Sequence, residues 1–324
     1  MSPSLRPLLI LLTTVLAAYA AEAGASRVAT WCDDKTGAFM LMFDDGAPTD
    51  VKNVIPELTK RGLVGTFYLN PGAGHYQPFK QEWEERIPKL GMEYANHTMT
   101  HAGARDVANA EEEITACNAV ILRVAPGPAQ RLVSFGRPGV KPGAWNITDP
   151  QLAELLAKHH LVERPPLGGH GSSINQKSAA DLIKLADEAV AKGEAQYVVF
   201  HGVGGDWLST PMDQFTALLD HLVSLKDRLW IAGHIAVHKY ETERKTATVT
   251  VGVVTTKELN LTLRCAADPL WYDAPLTVIT QVPAGWTACT IDQGTHHGTA
   301  KVVDGAVRFA AIPGTEAVVI RAAP

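Results

Sequence analysis

The chain has 324 residues, of which 46% are hydrophobic and 19% charged, with a formal net charge of −5 at pH 7. Such a composition is globular and supplies ample core material, with length for two domains or one large domain with an appendage. The mildly negative balance excludes a nucleic-acid binder built on a basic face, and neither an internal repeat nor a low-complexity segment is present.

In chain order, Arg6 is followed by an almost wholly apolar stretch from Pro7 to Ala18, then by the small-residue patterns Ala18-Tyr19-Ala20 and Ala21-Glu22-Ala23. This is the pattern of a secretory signal peptide over residues 1–23, too short for a comfortable membrane span, and it implies a secreted or periplasmic protein. Cys32, Cys117, Cys265 and Cys289 make an even count that permits two disulfides, Cys265 with Cys289 and Cys32 with Cys117 as the expected pairing.

From residue 28 to residue 240 strand and helix patterns alternate. Residues 38–43 form a buried apolar run. Val51, Val54, Ile55 and Leu58 give helical spacing over 50–61, which Gly62 ends. A strand is expected over 63–69, a helix over 79–90, a short strand over 92–95, and a helix over 110–124 capped by Asn109. A strand at 132–135 follows, then a helix opened by Asp149-Pro150 that runs to about 160. Ser178 caps a helix ending near Gly193. The run continues with a strand at 197–200, a helix from Thr210-Pro211 to about 226, a strand at 229–231 and a last helix to 240. Alternation of this kind predicts a parallel sheet covered by helices, and the number of units favours a barrel over a short open sheet. Over 242–324 the texture changes to short alternating stretches such as "TATVTVGVVTT", "ELNLTLRC" and "PLTVITQVP". These predict a small all-β, sandwich-like domain.

The polar residues with chemical potential fall after the barrel strands. Asp44 and Asp45 follow the first, His97 and His101 a later one, Arg137 the strand at 132–135, and His201 the strand at 197–200. In barrels this carboxyl-terminal rim is where active sites are built. Two histidines four residues apart share one side of a helical turn. With one aspartate they form a three-ligand site that leaves positions open for water and substrate, the arrangement of catalytic zinc. The second aspartate then serves as a base, and the metal's charge offsets the repulsion between the adjacent carboxylates. His234 and His238 repeat the spacing without a matching aspartate and are read as structural. His159-His160 end a helix, where cations suit the dipole. His296-His297 are placed in an exposed loop.

"FDDG", "HTMTH", "GRPG" and "VVFHG", in this order, resemble the polysaccharide deacetylase (NodB-homology, carbohydrate esterase 4) family over residues 28–240. The resemblance implies a distorted (β/α) barrel and metal-dependent removal of acetyl groups from sugars. It implies Asp44 as base, Asp45, His97 and His101 as metal ligands, Arg137 as the arginine that positions the base, and His201 as the acid that protonates the leaving group. The metal implied is Zn²⁺, with Co²⁺ or Ni²⁺ as substitutes, and the partner is an acetylated carbohydrate. Two motifs depart from the family pattern: Pro138 is followed by Gly139-Val140, and the fourth-motif acid has only Glu163 to stand for it. Trp145, His170 and Trp207 lie on rim loops. Two other readings carry different chemistry: a metal-dependent amidase or esterase acting on a small molecule, and a sugar-binding protein with a decayed site.

Overall fold

The computed structural model describes residues 22–166 and 171–323. Most of the expected leader, and His170, lie outside them. The described residues start with β1 (Ser26–Val28) and β2 (Gly37–Asp45), then α1 (Ile55–Arg61), β3 (Thr66–Leu69), β4 (Glu93–Asn96), α2 (Val107–Val124), β5 (Val133–Phe135), α3 (Asp149–Lys158) and β6 (Leu161–Glu163). It continues with α4 (Ala179–Lys192), β7 (Ala195–Phe200), α5 (Met212–Ser224), β8 (Leu229–Ile231) and α6 (His234–Thr246). An all-β region follows: β9 (Thr248–Val254), β10 (Glu258–Arg264), β11 (Leu276–Gln281), β12 (Ala288–Gln293), β13 (His296–Val303), β14 (Ala306–Ala311) and β15 (Ala317–Ala322).

β2 to β8 form a parallel sheet in the order β6-β5-β4-β3-β2-β7, with β8 on the amino-terminal end of β2. Among the described residues no strand pairing joins β6 to β7. A single bridge from Ser172 to Val199 lies on the open side, so the barrel is distorted. The all-β region and β1 build an antiparallel sheet in the order β1-β11-β14-β13-β12-β15-β10-β9. β13 pairs with β12 along its length and with β14 only at its end, linking the two halves of a sandwich-like fold.

The two-residue period of each strand decides what reaches the site. Phe39, Leu41 and Phe43 of β2 pack on the helices, whereas Ala38, Met40 and Met42 enter the inner cluster with Tyr68, Ala95, Val199 and Val237. Continuing that alternation, Asp44 faces the lumen at the carboxyl end. The same reading of β4 and β7 places His97 and His201 there.

Several local expectations change. α2 is capped by Asp106, whose Oδ1 accepts from the Asn109 amide at 2.8 Å, and not by Asn109. α3 is capped by Thr148 in a reciprocal box with Gln151, ahead of Asp149-Pro150. The helix expected over 79–90 is present as an unbroken helical stretch from Gln77 to Leu90, but its turns change from 3-10 to π and back to 3-10 geometry, with Pro78 and Pro88 removing amide donors. β1 pairs with β11 and so belongs to the antiparallel sheet, and α6 continues past residue 240, where Tyr240 packs into the core of that sheet. His296 and His297, expected in a loop, open β13 and are exposed. The four cysteines are free. Cys117 is buried on α2 with its thiol toward the Leu69 carbonyl, and Cys289 lies within a strand core while Cys265 sits beyond the end of β10.

The amino end of α6 plugs the barrel on the side opposite the rim. The Glu93 carboxylate accepts from the Ile235 amide at 3.1 Å and from Thr66 Oγ1 at 3.0 Å. A Cβ on Gly233 would lie 2.4 Å from the Glu93 carboxylate, so glycine is needed at that junction. Burial pushes the Glu93 carboxyl up to about 7, against the pull of these hydrogen bonds. A raised folded-state value means that its contribution to stability is complete below the unfolded value of 4.5 and is lost as pH rises through about 7. The unfolding free energy of the wild type, taken relative to Glu93→Gln, is therefore expected to drop by about 3 kcal/mol between pH 4.5 and pH 8. Urea titrations of both proteins across that range measure it, and a constant difference would refute it.

Candidate active site

The rim collects the expected residues around Asp44 and Asp45. Asp44 is 1% exposed, and its Oδ2 accepts from Arg164 Nη2 at 2.7 Å. The same oxygen lies 3.9 Å from His97 Nε2 and 3.9 Å from His201 Nε2. Asp44 Oδ1 is buried without a partner among the described residues. Asp45 turns the other way because its backbone adopts a left-handed φ of 75°, and its Oδ1 stands 3.5 Å from His97 Nε2 and 3.4 Å from His101 Nε2.

His97 and His101 do not sit on a helical turn. The segment between them is an irregular loop with left-handed backbone at Thr98 (φ 66°) and His101 (φ 59°). Asn70 Nδ2 donates to the carbonyls of His97 and Thr98, and Asn96 Oδ1 accepts from the Thr98 amide at 2.8 Å. Left-handed non-glycine residues cost energy and persist where their surroundings over-determine them; three of them here surround one point. The imidazole Nδ1 of His97 bonds the Gly136 carbonyl at 2.7 Å, which fixes the tautomer and turns the Nε2 lone pair toward the aspartates. Burial lowers the His97 pKa, outweighing the nearby carboxylates that raise it, so the ring is neutral.

Asp45, His97 and His101 therefore present three electron-pair donors to one another, with the ligand atoms of all three within 4.8 Å. The separations of 3.4 and 3.5 Å are long for hydrogen bonds. Atoms each held about 2.0–2.1 Å from one tetrahedral zinc ion stand about 3.4 Å apart. The donor set and its outer hydrogen bonds fit a divalent metal.

Residues 33–137 match the polysaccharide deacetylase family. The match is to one segment of the chain. It includes Asp44, Asp45, His97 and His101, and ends at Arg137. Among solved structures, this chain is similar to the family 4 carbohydrate esterase from Streptomyces lividans in complex with acetate. The identity is 21%, covering 60% of this chain and 92% of that one, with a TM-score of 0.44. It is also similar to peptidoglycan deacetylase PdaC from Bacillus subtilis (16% identity, 63% and 90% covered, TM-score 0.43). A family 4 pseudoenzyme from Bacillus anthracis aligns as well (15% identity, 61% and 63% covered, TM-score 0.43). A gellan lyase from a Bacillus species is 23% identical over 295 residues, 82% of this chain, which spans only 12% of that relative's length.

The arrangement departs from the expected site at several residues. Arg137 does not touch Asp44: it pairs with the exposed Asp149 at 2.9 Å and stacks on Trp145, 5.0 Å from the ring centre. The guanidinium on Asp44 belongs to Arg164, directly after β6. Strand parity gives the reason. Val133 and Phe135 face the helices, so Arg137 continues their side and Gly136 takes the lumen side, while on β6 the outward Leu161 puts Arg164 inward. Gly136 must be glycine, because a Cβ there would meet Arg164 Nε at 2.7 Å, Tyr68 Cδ1 at 2.8 Å and His97 Nδ1 at 3.2 Å. Glu163, the stand-in for the fourth-motif acid, is exposed, and His201 Nδ1 is buried without a partner among the described residues. His234 bonds Ser134 Oγ at 2.7 Å in the inner core, and burial pulls it down to about 3, leaving it neutral and structural. One residue of the site carried no sequence signal: His75, whose Nε2–H donates to the Asp45 carbonyl at 2.5 Å.

The loop carrying the aspartates is tied to the loop after β7. Asp206 accepts from the Thr49 amide at 2.7 Å, the Val203 amide donates to Thr49 Oγ1 at 3.2 Å, and Asn53 Nδ2 donates to the Val203 carbonyl at 2.7 Å. Between them opens a cavity of about 240 Å³ lined by Asp45, Ala47, Pro48, His75, His201, Gly202, Asp206 and Trp207.

Proposed function

We propose that this chain is an exported, metal-dependent carbohydrate deacetylase that hydrolyses N- or O-acetyl groups of a poly- or oligosaccharide. The observation that carries the reading is the convergence of Asp45, His97 and His101 within 4.8 Å beside the buried Asp44–Arg164 pair. The apolar amino-terminal stretch supports export, and among the described residues no helix is long and apolar enough to cross a membrane.

Asp45, His97 and His101 would hold the ion, with zinc favoured by the nitrogen-rich set and cobalt or nickel as substitutes. A divalent metal there supplies Lewis acidity that acidifies water and polarises the acetyl carbonyl. Asp44, whose Oδ1 is free while Oδ2 is fixed by Arg164, accepts a proton from the attacking water as its oxygen bonds to the carbonyl carbon. His201 delivers a proton through Nε2 to the departing amine or alkoxide as the C–N or C–O bond breaks, leaving acetate. Its Nε2 lies 3.9 Å from Asp44 Oδ2, which supports an acid and a base that act on one reacting group.

The test is acetate release from N-acetylated oligosaccharides, acetylated xylan and mucin-type glycans, with chelator-treated enzyme and again after zinc or cobalt is returned. Chelation is expected to abolish release and metal to restore it. Metal-independent release would overturn the mechanism, and a metal-loaded enzyme inert on every saccharide would overturn the substrate class.

A further inference from the structure

The cavity beside Asp45 has one wall that the proposed chemistry does not use. Trp207 is 71% exposed and is the one aromatic among the exposed large hydrophobic side chains of the described residues. Leaving an indole in water forfeits much of the burial energy that it would gain elsewhere. Its loop is not loose. The Trp207 carbonyl accepts from the Gly202 amide at 2.9 Å, Thr210 donates to the Gly202 carbonyl at 2.9 Å, and Gly205 donates to Ser209 Oγ at 2.7 Å. The flanking Asp206 (φ 64°) and Leu208 (φ 49°) both hold left-handed backbone. A Cβ on Gly202 would lie 2.0 Å from the Gly205 carbonyl oxygen, so the tight return depends on that glycine. A strained, well-bonded loop therefore presents an indole to solvent at the mouth of the site.

The remaining lining is polar. His75 spends its Nε2–H on the Asp45 carbonyl and keeps Nδ1 as an acceptor, and Asp206 commits Oδ2 to Thr49 while lining the same cavity. A flat apolar face with an imidazole and a carboxylate nearby is complementary to a pyranose, which offers a C–H face and hydroxyl donors at its edge. The volume of about 240 Å³ lies below the roughly 300–1,000 Å³ of pockets for drug-sized ligands, so it suits one ring.

We propose that Trp207 is the stacking platform for the sugar ring that carries the acetyl group, with His75 and Asp206 receiving its hydroxyls. The proposal rests on the deacetylase reading and names its substrate subsite. Because Trp207 is at the surface, Trp207→Ala is expected to fold normally. Its KM for an acetylated oligosaccharide should rise on the order of tenfold or more, with the loss concentrated in KM and not in kcat, and Trp207→Phe should restore part of the affinity. Calorimetric binding of the same oligosaccharide to the metal-loaded protein should weaken by the same factor, and the tryptophan fluorescence change on binding should disappear in Trp207→Ala. Unchanged KM and unchanged binding in Trp207→Ala would overturn the subsite. Failure of the wild type to release acetate while oligosaccharide binding still depends on Trp207 would overturn the deacetylase reading and leave the subsite standing.

Discussion

Asp44→Asn is expected to lower kcat/KM for acetate release by a factor on the order of 10²–10⁴ while metal binding stays intact. Asparagine matches aspartate in shape and keeps an oxygen that can accept from Arg164. It cannot take a proton from water. The parity of β2 sends Asp44 into the lumen, and the left-handed turn at Asp45 sends its neighbour toward His97 and His101. Two adjacent carboxylates are thus turned into different surroundings by one backbone conformation. Asp45→Asn should therefore have the opposite signature: weak metal binding by calorimetry, with activity partly recovered at high metal concentration. If Asp44→Asn lost the metal and Asp45→Asn kept it, the two roles would be interchanged. Activity within threefold of wild type in Asp44→Asn would eliminate Asp44 as the base.

The sequence made the rim residues legible because each one ends a buried apolar strand, and strand ends converge on one face of a barrel. It misplaced the arginine for a reason that is also visible in the chain. The expectation followed a motif, whereas the alternation of Val133 and Phe135 assigns residue 136, and not 137, to the lumen. Arg164 was obscured because β6 has only three residues, too few for a periodic signal. The His-x-x-x-His spacing pointed to the right pair for a geometric reason that does not apply, since Asn70 and Asn96 hold those residues in a loop and not a helix. Of the true helical pair, His234 went into the core and His238 is half-buried against Tyr272. β12 and β13 escaped notice because "ACTIDQ" and "HHGTAKVV" are polar on their solvent side and lack a strong apolar run. His75 reaches Asp45 from the loop after β3, a contact that no local pattern encodes.

The second large effect is expected at Arg164. Its guanidinium and the Asp44 carboxylate are both nearly inaccessible, with side-chain exposures of 4% and 1%, and they meet at 2.7 Å. Removing one member of such a pair leaves the other charge buried and uncompensated, which costs about 3–5 kcal/mol. Arg164→Gln is therefore expected to lose about that much unfolding free energy in urea. The cation also sits over the Tyr68 ring, 5.0 Å from its centre, so lysine, which lacks the planar fork, should rescue only part of the loss. Activity should fall as well, because the free Oδ1 of Asp44 is aimed by the bond at Oδ2. The double variant Asp44→Asn/Arg164→Gln separates the two contributions. With both charges gone, its loss of stability should fall short of the sum of the single losses by on the order of 1–3 kcal/mol, yet acetate release should stay as low as in Asp44→Asn. Recovery of stability without recovery of activity would assign the pair's structural role to charge compensation and its catalytic role to the carboxylate alone. Additive losses would mean that Arg164 stabilises the barrel through contacts other than Asp44.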